Sequence, residues 1–211
     1  MKLLMRVILI GMALLTSTHA TAGAYEDMVR AIHMGDNGTV AGLLKKGLAV
    51  DSVDKEGESL LMMAAKEGNI NILKTLLASK PKVAAQNTFG ETALMLASIK
   101  GHIEVVKLLL AEGARIDHPG WTPLIYAAAT NRVEIMRFLI VRGAKIDAAN
   151  SAGMTALMMA SREGQTQAVL LLMEYGANIN LAAPDGNTAL KAAKQSASND
   201  IVRILSKAGA K

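Results

Sequence analysis

Apolar residues run along this chain in short bursts, each closed by a glycine. In GHIEVVKLLLAEG (101–113), Ile103, Val106, Leu109 and Leu110 recur at helical spacing, while Glu104 and Lys107 fall on the other side. That pattern predicts an amphipathic helix. Just upstream, GETALMLASIKGH (90–102) places Leu94, Ala97 and Ser98 on one face of another helix. The same frame returns as GESLLMMAAKEGN at 57, GWTPLIYAAATNR at 120, GMTALMMASREGQ at 153 and GNTALKAAKQSAS at 186. The framing glycines Gly57, Gly90, Gly120, Gly153 and Gly186 stand 33, 30, 33 and 33 residues apart. A fixed period of this size marks a repeat array built from one recurring supersecondary unit.

The ends of the segments carry their own signals. Ser59, Thr92, Thr122, Thr155 and Thr188 sit where a first helix should begin. A hydroxyl there accepts backbone N–H groups that no helical carbonyl reaches. Pro123 follows at the first helical position, where its missing N–H costs nothing. Gly35, Gly68, Gly101 and Gly164 break each first helix from its second; Asn131, which tolerates left-handed geometry, takes that place in one unit. Gly47, Gly113, Gly143, Gly176 and Gly209 close the second helices. One such helix pair cannot bury its apolar face alone, so the units must stack. The end units differ, as stacking requires. Lys191, Lys194 and Ser206 replace apolar or small residues of inner units, and AYEDMVRAIHMGDNGTVAGLLKKG (24–47) lacks the T-x-L phrase.

The phrase GWTPLIYAA (120–128), its four variants and the text GHIEVVKLLLAEGARID (101–117) resemble the ankyrin-repeat family. The resemblance runs from residue 24 to residue 211. It implies an all-α solenoid of stacked helix-turn-helix units joined by β-hairpin-like fingers. The expected organisation is an N-terminal capping unit at 23–54, four inner repeats at 55–87, 88–117, 118–150 and 151–183, and a C-terminal capping unit at 184–211. Two departures stand out. Lys80-Pro81 occupies the place of the capping Gly-Ala, and a left-handed lysine costs about 1 kcal/mol or more, so that loop is expected to take another shape. The 30-residue interval leaves only ARIDHP between Gly113 and Gly120, so one finger should be stunted and leave a notch.

Composition narrows the compartment and the chemistry. Half of the chain is apolar (51%) but only 3% is aromatic, which favours packed helices over a β-sandwich. With no cysteine, disulfides, thiolate metal sites and cysteine nucleophiles are excluded. Lys2 and Arg6, the apolar run VILIGMALL (7–15), and Ala20 and Ala22 have the layout of a secretory signal peptide spanning 1–22. Cleavage near Ala22 implies a periplasmic or secreted protein with no membrane insertion afterwards. Its removal takes two positive charges and no acid, lowering the formal charge from +5 to +3. The remaining cations are interspersed with acids, as in KEGE at 55–58, with no basic stripe for nucleic acid.

No metalloprotease, P-loop or nucleophile-elbow pattern occurs. His33, His102 and His118 fall at different positions of different units, so neither catalytic residues nor a metal or cofactor site is expected. Met62, Met95 and Met158, with Met63 and Met159 beside them, lie at helical core spacing. They read as gap fillers between repeats; the rival reading is a thioether surface for redox or metal support under oxidative stress. The family resemblance implies a scaffold that binds another protein through finger tips and the concave side of the first helices; the chain itself is expected to be a monomer. Matched position by position, that surface has an apolar centre of Phe89, Ile99, Trp121 and Met154. Its rim is Lys66, Glu91, Lys100 and Arg162. Trp121 is either a contact residue or packing for the space left by the short finger. A narrower alternative is an immunity or inhibitor protein that blocks a secreted toxic enzyme.

Overall fold

The computed structural model describes residues 23–211; the expected signal segment 1–22 lies outside them. Helices come in pairs. The first pair is α1, helical over 23–34, and α2 (Asn37–Lys45). It is followed by α3 (Leu60–Glu67) with α4 (Ile70–Ala78), α5 (Ala93–Lys100) with α6 (Ile103–Ala111), and α7 (Pro123–Ala129) with α8 (Val133–Val141). The last pairs are α9 (Ala156–Arg162) with α10 (Thr166–Glu174), and α11 (Ala189–Gln195) with α12 (Asn199–Lys207). Helices α3, α5, α7, α9 and α11 pack side by side in chain order, and α2, α4, α6, α8, α10 and α12 form a second row behind them. Among the described residues no strand forms; the fingers carry only isolated antiparallel bridges at Val53–Ser59, Ala149–Thr155 and Ala182–Thr188. The molecule is an all-α solenoid.

The repeated hydroxyls start the front-row helices. Ser59, Thr92, Thr122, Thr155 and Thr188 each accept the backbone N–H three residues on. Behind them, Leu76, Leu109, Leu139, Leu172 and Leu205 line up along the second row with no exposed surface. Fully burying one such side chain is worth about 1.5–3 kcal/mol. Met62, Met95 and Met158 are 1% exposed and Met63 and Met159 no more than 5%, so these thioethers fill the seams between units. At the C-terminal end Lys191, Lys194 and Ser206 face solvent where inner units are apolar or small.

Polar staples tie each unit to the one before it. A front-row helix ends with carbonyls that lack helical partners. His102 Nε2 donates to the Lys66 carbonyl (3.1 Å), Arg132 Nε to the Ile99 carbonyl (3.2 Å) and Gln165 Nε2 to the Ala129 carbonyl (3.2 Å). Asn131 is left-handed at φ 56°, and its side-chain oxygen accepts the Ala168 N–H at the start of α10 (3.0 Å). On the loop side, Asp51 accepts the Lys82 N–H (2.8 Å) and Asp147 the Asn178 N–H (3.0 Å).

The expectation for Lys80 is corrected. It adopts the left-handed conformation, φ 54°, as a glycine would. Its N–H donates to the Leu77 carbonyl (2.9 Å), and Lys82 is fixed to Asp51 of the preceding unit, so stacking overrides local preference. The short finger is present as expected. Backbone bonds Asp54 N–Glu58 O, Asn87 N–Glu91 O, Asn150 N–Met154 O and Ala183 N–Asn187 O close four fingers. Among the described residues none closes 114–121, where His118 Nδ1 instead bonds the Pro119 carbonyl (2.8 Å).

Two substitutions should move stability in opposite directions. Lys80→Gly relieves the strained backbone and should raise unfolding stability by up to about 1 kcal/mol. Gly68 has φ 74°, and a Cβ there would come within 2.5 Å of the His102 ring. Gly68→Ala should therefore cost about 1–3 kcal/mol. Urea unfolding checks both; changes of the same sign would contradict this reading of the loops.

Candidate protein-binding face

The finger turns are held by side chains that grip their own backbone. Asn87 Oδ1 accepts the N–H groups of Phe89 (3.0 Å) and Glu91 (2.9 Å), and Asn150 Oδ1 does the same for Ala152 (3.0 Å) and Met154 (3.0 Å). Gln86 Nε2 donates to the Gly90 carbonyl (2.7 Å), and the Thr88 N–H donates to the Glu56 carbonyl of the neighbouring finger (2.8 Å). Phe89 thus rides on a braced turn and is 71% exposed. A large apolar side chain already fixed in position loses little conformational freedom on binding.

The residue after each framing glycine stands where finger meets front-row helix. In chain order these are Glu58, Glu91, Trp121, Met154 and Asn187. Both Glu58 oxygens accept from Lys66 Nζ at 3.1 Å. Glu91 Oε1 accepts the Tyr126 hydroxyl (2.8 Å), and Oε2 accepts Asn87 Nδ2 (2.8 Å). Trp121 is half-buried against the core and lies on Tyr126, ring centres 5.3 Å apart and tilted by 37°. Its ring is therefore partly packing and partly open to solvent. Met154 is drawn into the core at 8% exposure, with Asn187 Nδ2 3.9 Å from its sulfur. The apolar centre expected on this face therefore lacks Met154, because the following finger folds over it.

The rim residues divide by how fully they are engaged. Lys66 is tied to Glu58. Arg162 is exposed and pairs with Glu163 at 2.9 Å. Lys100 is exposed and forms no ion pair among the described residues. Ile99 is half-buried, its carbonyl accepting from Thr130 Oγ1 (3.1 Å) as well as from Arg132. Among the described residues no three His, Asp or Glu side chains gather as metal ligands.

Tyr126 is a member of this face that the repeat pattern did not single out. It stands in a column with Met63, Leu96, Met159 and Ala192, and the one polar tip in that apolar column was the available signal. Burial, then the hydrogen bond to Glu91 and that carboxylate's charge, hold its phenol well above the ordinary value of 10.0.

The folded phenol keeps its proton more tightly than the unfolded one. Its contribution is complete below the ordinary tyrosine value and is lost as pH rises beyond it. Between about pH 9 and pH 11 the native protein should lose more stability than Tyr126→Phe does. Tyr25 shifts in the same direction but stays in both proteins, so the difference isolates Tyr126. Equal pH slopes in thermal melts would contradict the upward shift of the Tyr126 phenol.

A chain in the solved complex of the Bd0816 predatory endopeptidase from Bdellovibrio bacteriovorus with immunity protein Bd3460 aligns at TM-score 0.76 and 31% identity. The alignment covers 86% of this chain and 97% of that one. Comparison with curated proteins gave no match. A family profile for ankyrin repeats in three copies matches residues 28–119, 61–150, 115–183 and 143–211. The chain belongs to the ankyrin-repeat family, whose stacked units serve as scaffolds for protein–protein interaction.

Proposed function

We propose that this protein is an exported inhibitor of the immunity type, which seats its concave face on an enzyme of the same compartment and blocks it without chemistry of its own. The observation that carries the binding half is Phe89, a 71% exposed aromatic on a turn braced from both sides. Half-buried Trp121 and Ile99, with exposed Lys100 and Arg162, extend that surface. Large aromatics in such settings are enriched among interface hot spots. The inhibitory half is supported by the likeness, over 86% of this chain, to a chain from an endopeptidase–immunity protein complex. Export rests on the basic start, apolar run and small residues of the first 22 positions. Metal or redox support by methionine gains no support, because the five front-row methionines are buried.

The mature chain, used to capture proteins from an extracytoplasmic extract, should retain an enzyme and lower that enzyme's activity when added back in excess. Phe89→Ala should weaken this binding by about 1 kcal/mol or more, and Trp121→Ala by a similar amount, both remaining folded. Full enzyme activity in the complex would remove the inhibitory reading. Unchanged affinity in both variants would remove the concave-face assignment.

A further inference from the structure

The inner repeats carry an internal comparison that marks one carboxylate as unneutralised. Glu58 and Glu91 hold the same position in successive units. Glu58 is neutralised within its own unit: Lys66, eight residues on, reaches both of its oxygens at 3.1 Å. Eight residues beyond Glu91 stands Ile99, which carries no charge. Among the described residues no cation lies within ion-pair distance of Glu91. Among the described residues its two oxygens accept only the neutral donors Tyr126 OH and Asn87 Nδ2, and each retains a free lone pair.

An aromatic pair stands on one side of that carboxylate. Tyr126 touches it directly, Trp121 lies against Tyr126, and Phe89 projects from the same braced finger. The shortened finger at 114–121 runs directly into Trp121 and, among the described residues, lacks the closing backbone bond of the other four. A half-buried negative charge attracts a cation by charge pairing, and an aromatic ring nearby adds a quadrupole attraction when the cation lies over its face.

We infer that Glu91, Tyr126 and Trp121 form a receptor for a basic side chain, arginine above all, presented by the partner protein. A planar guanidinium can bond the free carboxylate lone pairs and lie along a ring at the same time. This deepens the proposed binding function and rests on it: Phe89 would supply apolar contact, and the notch would supply the charge-specific one.

The chain has a single tryptophan, Trp121, so its emission reports on this notch alone. The mature protein is titrated with N-acetyl-arginine methylamide and, separately, with the neutral isostere N-acetyl-citrulline methylamide. The expected result is a saturable change in emission with the arginine probe, at least fivefold weaker with citrulline and at least fivefold weaker in Glu91→Gln, which keeps an acceptor for Tyr126. Ile99→Lys places a cation where Lys66 stands in the preceding unit and should abolish the response by filling the notch from within. Melting curves confirm that each variant is folded. No saturable response in the native protein, an equal response to citrulline, or an unchanged response in Ile99→Lys would overturn the inference. If Glu91→Gln keeps full affinity for the captured partner while Phe89→Ala loses it, the cation receptor falls and the concave-face reading stands.

Discussion

No unit of this protein can bury its apolar face without a neighbour, and every other feature depends on that. Each helix pair is two short helices, well below the length at which isolated helices persist in water. What makes them stable is the seam. Leu76, Leu109, Leu139, Leu172 and Leu205 are fully covered only because another pair lies against each. Truncating one of them to alanine costs about 2–5 kcal/mol. Exposed ion pairs such as Arg30–Asp27, Lys107–Glu104 and Arg203–Asp200 are worth at most about 1 kcal/mol each, so burial at the seams dominates.

The same stacking makes a surface. Because the units repeat, the residue after each framing glycine is delivered to a row at the foot of the fingers, whatever its identity. The frame fixes the place, and the side chain there is free to vary. Glu58 is answered by Lys66, Glu91 is answered by an aromatic pair, and Met154 is folded inward. Polar staples such as His102 to the Lys66 carbonyl set the relation of one unit to the next, so that this row holds its shape.

Much of the fold was legible in the residues. The capping threonines, Pro123 and the second-helix periodicity are local signals, and the structure places each where its chemistry directs. Lys80 was misjudged because its backbone is dictated by a seam and by Asp51 of the unit before, neither of which local preference registers. Position alone put Met154 on the outer surface, but its exposure is set by Asn187 in the following unit. The tie between Glu91 and Tyr126 spans 35 residues and appears only once the units are laid against each other. Helices and caps are written locally; the binding face is written between repeats.

The claim that units hold each other through nearest-neighbour seams is tested most directly by excising one. A chain lacking residues 120–152 joins equivalent points of the frame and would bring α5 against α9. In it, Gln165 would meet the carbonyl that Arg132 now takes. Urea unfolding followed by circular dichroism should show a folded, cooperative, less stable helical protein with a smaller denaturant slope. A chain without helical signal in the absence of urea would contradict the account.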